Sequence, residues 1–279
     1  MRLRKVYLEI SNICNLSCAF CPGTRREKRR LSEEEFVRLT EKIRPYTQYL
    51  YFHLMGEPLC HPQLERFLEL AAQQDFRVIL TTNGTLLAKK QEVLLKSASL
   101  HRVNISLHAF EANDLSMPFA EYLRQAFSFG KAAEGRCIVS YRLWNEGGQE
   151  GLNAQILQAM QDYFPEPWVQ ERTGQRIGER IYLEHGEKFD WPELSAEDGG
   201  DEVFCYALRD QIGVLCDGTV VPCCLDHEGD LALGNLFDQE LKDILNSSKA
   251  REIYDGFTAR RATQELCRKC GYARRFTKK

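Results

Sequence analysis

The chain has 279 residues, 43% hydrophobic and 28% charged, with a net charge of −3. This length suits one large or two modest domains, and the charge excludes a general pull toward nucleic acid or anionic lipid. No apolar run nears the ~20 residues of a membrane span and "MRLRKVYLEI" lacks a signal-peptide core; the expected location is the cytoplasm, where eleven cysteines argue for metal ligation or redox chemistry over disulfides.

Taken in chain order, short apolar runs alternate with amphipathic stretches. Strands are predicted at 5–11, 49–55, 76–82, 102–108, 136–143 and 180–185. Helices are predicted at 32–43, 62–73, 86–97, 119–133 and 151–164, the first opened by a Ser32/Glu35 capping box. Such alternation implies βα units and a parallel sheet. A full eight-stranded barrel needs about 250 residues, so six units in the first two thirds predict a partial (β/α)6 barrel. The polar stretch 189–203 reads as a linker. Beyond it come two short strands around an Asp217-Gly218 turn, a helix at 238–248 and the pair Cys267/Cys270. The expected division is a core at 1–190, a linker at 191–202 and a small α+β cysteine-rich extension at 203–279.

Cys14, Cys18 and Cys21 crowd one loop directly after the first strand. In a barrel, that end of a strand is where active sites lie. A structural zinc there would need a fourth ligand, for which Cys60 and His61 are at hand. Three thiolates on a four-iron cluster would instead leave one iron open to another ligand.

The set Cys14, Cys18, Phe20 and Cys21 matches C-x3-C-x-aromatic-C and resembles the radical SAM superfamily. The resemblance implies a [4Fe–4S] cluster on the three cysteines, with S-adenosylmethionine (SAM) on the open iron and Phe20 beside its adenine. It also implies SAM contacts further along the chain. "MGEP" resembles the family's GGE motif with Met55 in place of a glycine. It offers Gly56, Glu57 and Pro58, with Glu57 the acceptor for the SAM amino group. Asn83, Ser106 and Ser140 end or line the next strands as further SAM contacts.

Cys205, Gly218, Cys223, Cys267 and Cys270 resemble the SPASM and twitch extensions of that superfamily. The implication is one auxiliary [4Fe–4S] cluster on the four cysteines, with Cys224 able to exchange with Cys223. Cys60, Cys137 and Cys216 read as small apolar fillers.

The implied reaction is SAM cleavage to a 5′-deoxyadenosyl radical, hydrogen abstraction, and oxidation of the substrate with an electron passing to the auxiliary cluster. Arg142, Glu184 and His53 are candidate catalytic residues near strand ends, with His108 and Tyr182 beside them. The chain starts close to its first strand, with no leader-binding domain before it, so a small alcohol or sugar is the favoured substrate. The alternative is a peptide, modified with a separate leader-binding partner. A non-catalytic zinc-stabilised module is the reading from another class. The electron donor is expected to be a flavodoxin or ferredoxin, drawn by the basic run Arg25, Arg26, Lys28, Arg29 and Arg30.

Overall fold

The computed structural model describes residues 2–276. Residue 1 and residues 277–279, the outer ends of the expected core and extension, lie outside them. The elements run β1 (Lys5–Leu8), α1 (Glu33–Ile43), β2 (Tyr49–Tyr51), α2 (Leu64–Gln73), β3 (Arg77–Thr82), α3 (Leu87–Lys96) and β4 (Leu100–Ser106). Then come α4 (Phe119–Ala132), β5 (Ile138–Glu146), α5 (Asn153–Tyr163), β6 (Val169–Glu171), β7 (Gly174–Gly178) and β8 (Ile181–Glu187). The chain closes with β9 (Gln211–Val214), β10 (Thr219–Val221), β11 (Gly234–Asn235), α6 (Leu241–Leu245), α7 (Ser248–Thr258) and α8 (Glu265–Arg268).

Two compact units emerge. One holds the residues up to 13, 24–56 and those from 189 onward; the other holds 14–23 and 57–188. In the first, β1 pairs in parallel with β2 and β9, and β10 lies antiparallel between β9 and β11. The strands after the expected linker therefore share a sheet with the N-terminal strand. Helix α1 begins on the expected capping box, with Ser32 and Glu35 bonded reciprocally. It buries Phe36, Leu39 and Ile43, each stabilising by roughly 1.5–3 kcal/mol relative to exposure.

In the second unit, β3, β4, β5 and β8 run parallel, and β7 and β6 add an antiparallel hairpin at the β8 side. Tyr141 of β5 and Phe127 of α4 meet edge to face at 5.4 Å between ring centroids, fixing helix on sheet. All six expected core strands and five expected core helices are present. The pairings within either unit do not close into a ring, so the architecture is an α/β core of parallel strands with a small cysteine-rich extension.

One expectation needs correction, and one element goes beyond those expected. The helix expected at 238–248 is interrupted: Ser247 caps a new helix, α7, by accepting from Ala250 N–H, because a serine hydroxyl satisfies an orphan amide at a helix start. The β6–β7 hairpin was not predicted. Its residues alternate little, and all three of β6 are exposed.

Candidate active site

The site begins where β1 ends. Glu9 is fully buried, and its carboxylate receives both guanidinium Nη atoms of Arg26, at 2.9 and 2.6 Å. The backbone N–H groups of Met55 and Cys216 donate to the same carboxylate at 3.2 and 3.0 Å. Arg26 Nε donates to His227 O at 2.8 Å. A bidentate fork plus two amides offsets the cost of burying this charge. Just beyond, Asn12 Nδ2 donates to Glu27 O at 2.7 Å and Asn12 Oδ1 accepts from Arg29 N–H at 2.8 Å. These bonds tie together the chain on either side of residues 14–23.

This geometry revises the expected basic collar. Arg26 belongs to Glu9, Arg29 pairs with Glu35, and Arg25 lies 3.8 Å from Glu228. Lys28 and Arg30 are exposed and make no ion pair among the described residues.

No disulfide joins any of the eleven cysteines. On the loop, Cys14 and Cys21 are exposed and Cys18 is half-buried. Leu16 N–H donates to Cys14 Sγ at 3.4 Å and Asn113 Nδ2 to Cys18 Sγ at 3.1 Å. Asn113 also accepts from Ser17 N–H at 3.1 Å, and Ala19 N–H donates to Ala112 O at 3.2 Å. The loop is therefore docked rather than loose. Burial, more than any neighbour, pushes the Cys14 and Cys18 thiols up, and the charge of Cys21 adds to it. Thiols that crowd one another yet receive N–H donors suit ligation to a cationic centre, which turns repulsion into attraction. Among the described residues no group of three His, Cys, Asp or Glu side chains is arranged to hold a single metal ion.

Phe20 packs its ring 4.9 Å from that of His108. Glu57 sits on a short 3-10 turn (Pro58–Cys60), where its carboxylate accepts from Leu59 N–H at 3.0 Å and Asn83 N–H at 2.8 Å. Burial pushes its pKa up to about 7 against these bonds. Gly56 has φ +77°, and a Cβ there would lie 2.4 Å from Ser11 O, so only glycine fits against the residues that lead to Cys14. Tyr122 Oη donates to Asn83 O at 2.8 Å and lies 3.4 Å from Ser106 O, fastening the ends of β3 and β4. Phe20, Glu57, Asn83 and Ser106 thus sit on loops and strand ends tied to one another or to the docked loop.

The candidate catalytic residues are placed differently. Arg142 Nε donates to Glu184 at 3.2 Å and Ser140 Oγ donates to it at 2.9 Å. Arg102, which the sequence reading passed over, bonds both Glu184 and Ser140. Its signal was the period-2 alternation that puts it on one face of β4 with Asn104 and Ser106. Glu184 is held by two guanidiniums and a hydroxyl, an anchor for arginines. His53 packs its ring edge-on against Tyr7 and Tyr51. His108 is buried, which pushes its pKa down, and its Nδ1 lies 3.1 Å from Arg142 O. His61 accepts from Gln63 N–H at 3.1 Å and stacks on Phe67. Cys60, expected as a filler, is half-buried, with its thiol 3.6 Å from Asn15 Oδ1 between Cys14 and Cys18.

In the extension, Gly218 turns the β9–β10 hairpin at φ +85°. Burial pushes the Cys223 thiol well up, and Cys224, Cys205, Cys270 and Cys267 all lie near enough to add to it. Burial pushes Cys205 up to about 11, and neighbouring thiols add to it. Cys224 also packs against Tyr7, Leu54, Leu215 and Val221. Cys137 and Cys216 are buried, the latter 3.9 Å from Arg26 Nη1.

Residues 8–130 match the radical SAM superfamily, and residues 205–271 match the SPASM iron–sulfur cluster-binding domain. A probable GTP 3',8-cyclase of Pyrobaculum aerophilum is 30% identical over 117 residues, 41% of this chain and 37% of that protein. The chain thus spans well under half the length of such curated relatives. In structure it is similar to BtrN in complex with AdoMet and 2-DOIA (TM-score 0.62, 17% identity, 97% and 93% of the two chains covered). It is also similar to Streptococcus suis SuiB bound to precursor peptide SuiA (0.65, 15%, 97% and 70%); anSMEcpe with AdoMet and a peptide shares the fold as well. The chain thus carries a radical SAM superfamily domain in its N-terminal half and a SPASM-type iron–sulfur cluster-binding domain towards its C-terminus.

Proposed function

We propose that this protein is a radical SAM oxidoreductase that modifies a peptide. Cys14, Cys18 and Cys21 would hold a [4Fe–4S] cluster, and Cys205, Cys223, Cys267 and Cys270 an auxiliary one. Bound together, SAM and a reduced cluster supply a 5′-deoxyadenosyl radical able to take a hydrogen atom from substrate. The protein's own part is to hold and orient. Asn113 and Leu16 direct N–H groups at the thiolates, Glu57 offers a buried anion to the SAM amine, and Phe20 with Ser106 shapes its pocket, whereas Ser140 is buried on Glu184. The observation that carries the reading is the docked three-cysteine loop, where the Cys14 and Cys18 thiols receive N–H donors.

A small alcohol or sugar was the substrate favoured by sequence, and the similar structures speak more for the alternative. Structures with a bound peptide recur among them, against 2-DOIA in BtrN. Strand β6 supports this choice, since it is fully exposed and ends its run of strands. An extended peptide can add to such an edge through main-chain hydrogen bonds. A flavodoxin or ferredoxin would supply electrons. Anaerobic reconstitution should give about eight irons per chain, as two four-iron clusters require. SAM consumption should then be stimulated by peptide and not by alcohols or sugars. The opposite preference would restore the small-molecule reading.

A further inference from the structure

Beside the residues already given roles, the second unit contains a cavity of about 730 Å³ lined by Arg102, Trp144, Gln170, Arg172, Gln175 and Glu184, among others. Its charge is unbalanced. Glu184 is the acidic side chain of the lining, and it is already bonded to Arg102, Arg142 and Ser140. His185 lies 3.5 Å from Glu146. Arg172 makes no hydrogen bond or ion pair among the described residues. The two buried side-chain atoms of the lining that lack a partner are both donors. Arg102 Nε and Trp144 Nε1 are buried and lack an acceptor, a costly state in a folded interior. The Arg142 guanidinium lies over the Trp144 ring at 4.4 Å, which adds positive charge at the same wall.

Surplus guanidiniums and orphaned N–H donors call for a ligand rich in acceptor oxygens and negatively charged. We infer that this cavity receives an anionic oxygen group of the substrate, a carboxylate or a phosphate. One histidine links the cavity to the docked cysteine loop: Phe20 meets His108, whose Nδ1 accepts from the N–H of the lining residue Trp144 at 3.4 Å. Glu184 then works as a positioning residue, which holds Arg102 and Arg142 apart and aimed. The inference deepens the proposed function and rests on it for the identity of the ligand as substrate. The binding step itself needs neither cluster nor SAM.

The test is titration calorimetry of the full reconstituted chain at low salt with two probes, acetyl-tetraglutamyl amide and inorganic tripolyphosphate. Acetyl-tetraglutaminyl amide is the uncharged control. At least one anion should bind while the control does not. Arg172→Gln, an exposed change that leaves the buried pairs intact, should weaken that binding by about tenfold, the value of one charge-assisted contact. Trp144→Phe, which removes the indole donor and keeps an aromatic ring, should weaken it measurably, with unchanged circular dichroism. Binding of the glutamyl peptide alone assigns a carboxylate, and of tripolyphosphate alone a phosphate. No binding of either anion, or equal binding by wild type and both variants, overturns the inference. Intact SAM cleavage beside absent anion binding would overturn it while leaving the proposed reaction standing.

Discussion

Glu9 and Arg26 show how one buried ion pair organises a site made of distant sequence. Four donors converge on the Glu9 carboxylate, from the segment after the cysteine loop, the "MGEP" turn and the extension hairpin. Removing one partner strands a buried charge, so Arg26→Met should cost about 3–5 kcal/mol in urea unfolding. Reversing exposed Lys28 and Arg30 should stay within about 0.5 kcal/mol. At Glu57 the prediction concerns pH. Its folded pKa of about 7 lies above the ordinary carboxyl value, so its burial costs stability as pH rises from the ordinary value toward 7 and beyond. A SAM ammonium favours the ionised form, so binding should release a proton below pH 7. SAM affinity should fall about tenfold from pH 8 to pH 6; calorimetry in buffers of different ionisation heat measures the proton. An affinity flat across that range would mean that Glu57 only caps its turn.

At the scale of elements, the cysteine loop is held by hydrogen bonds to Ala112 and Asn113, and the residues leading into it pack against Gly56. Gly56 and Gly218 make the point by contrast. A Cβ on Gly56 would strike the backbone oxygen of Ser11, whereas one on Gly218 would strike the Phe237 ring and the Asn235 side chain. Side chains yield and backbone does not, so Gly56→Ala should lower the unfolding midpoint more than Gly218→Ala, although both positions have positive φ. The repeating βα elements were legible because apolar period and capping chemistry agree, as at Ser32 and Glu35. The β6–β7 hairpin was illegible because its strands are exposed and carry no apolar alternation. Arg26 was misread for a related reason: a cation in a basic run looks solvated until the fold delivers its carboxylate. Cys60 was likewise beyond the sequence, since its nearness to Asn15 exists only after the "MGEP" turn folds.

For the whole molecule, the two compact units divide the two cysteine sets between them, Cys14, Cys18 and Cys21 in one and Cys205, Cys223, Cys267 and Cys270 in the other. If they hold separate clusters, each should be removable alone. Replacing Cys267 and Cys270 by Ala should halve the iron and abolish product, while SAM cleavage without product continues. The spacing of both sets was readable because ligation fixes residue type and separation, whereas substrate recognition fixes neither. The most direct test is the variant with Cys14, Cys18 and Cys21 all changed to Ala, reconstituted anaerobically, with iron and SAM cleavage both measured. The expected result is about four irons retained, as one remaining four-iron cluster requires, and no SAM cleavage. Continued cleavage of SAM by that variant would contradict the assignment of the catalytic centre.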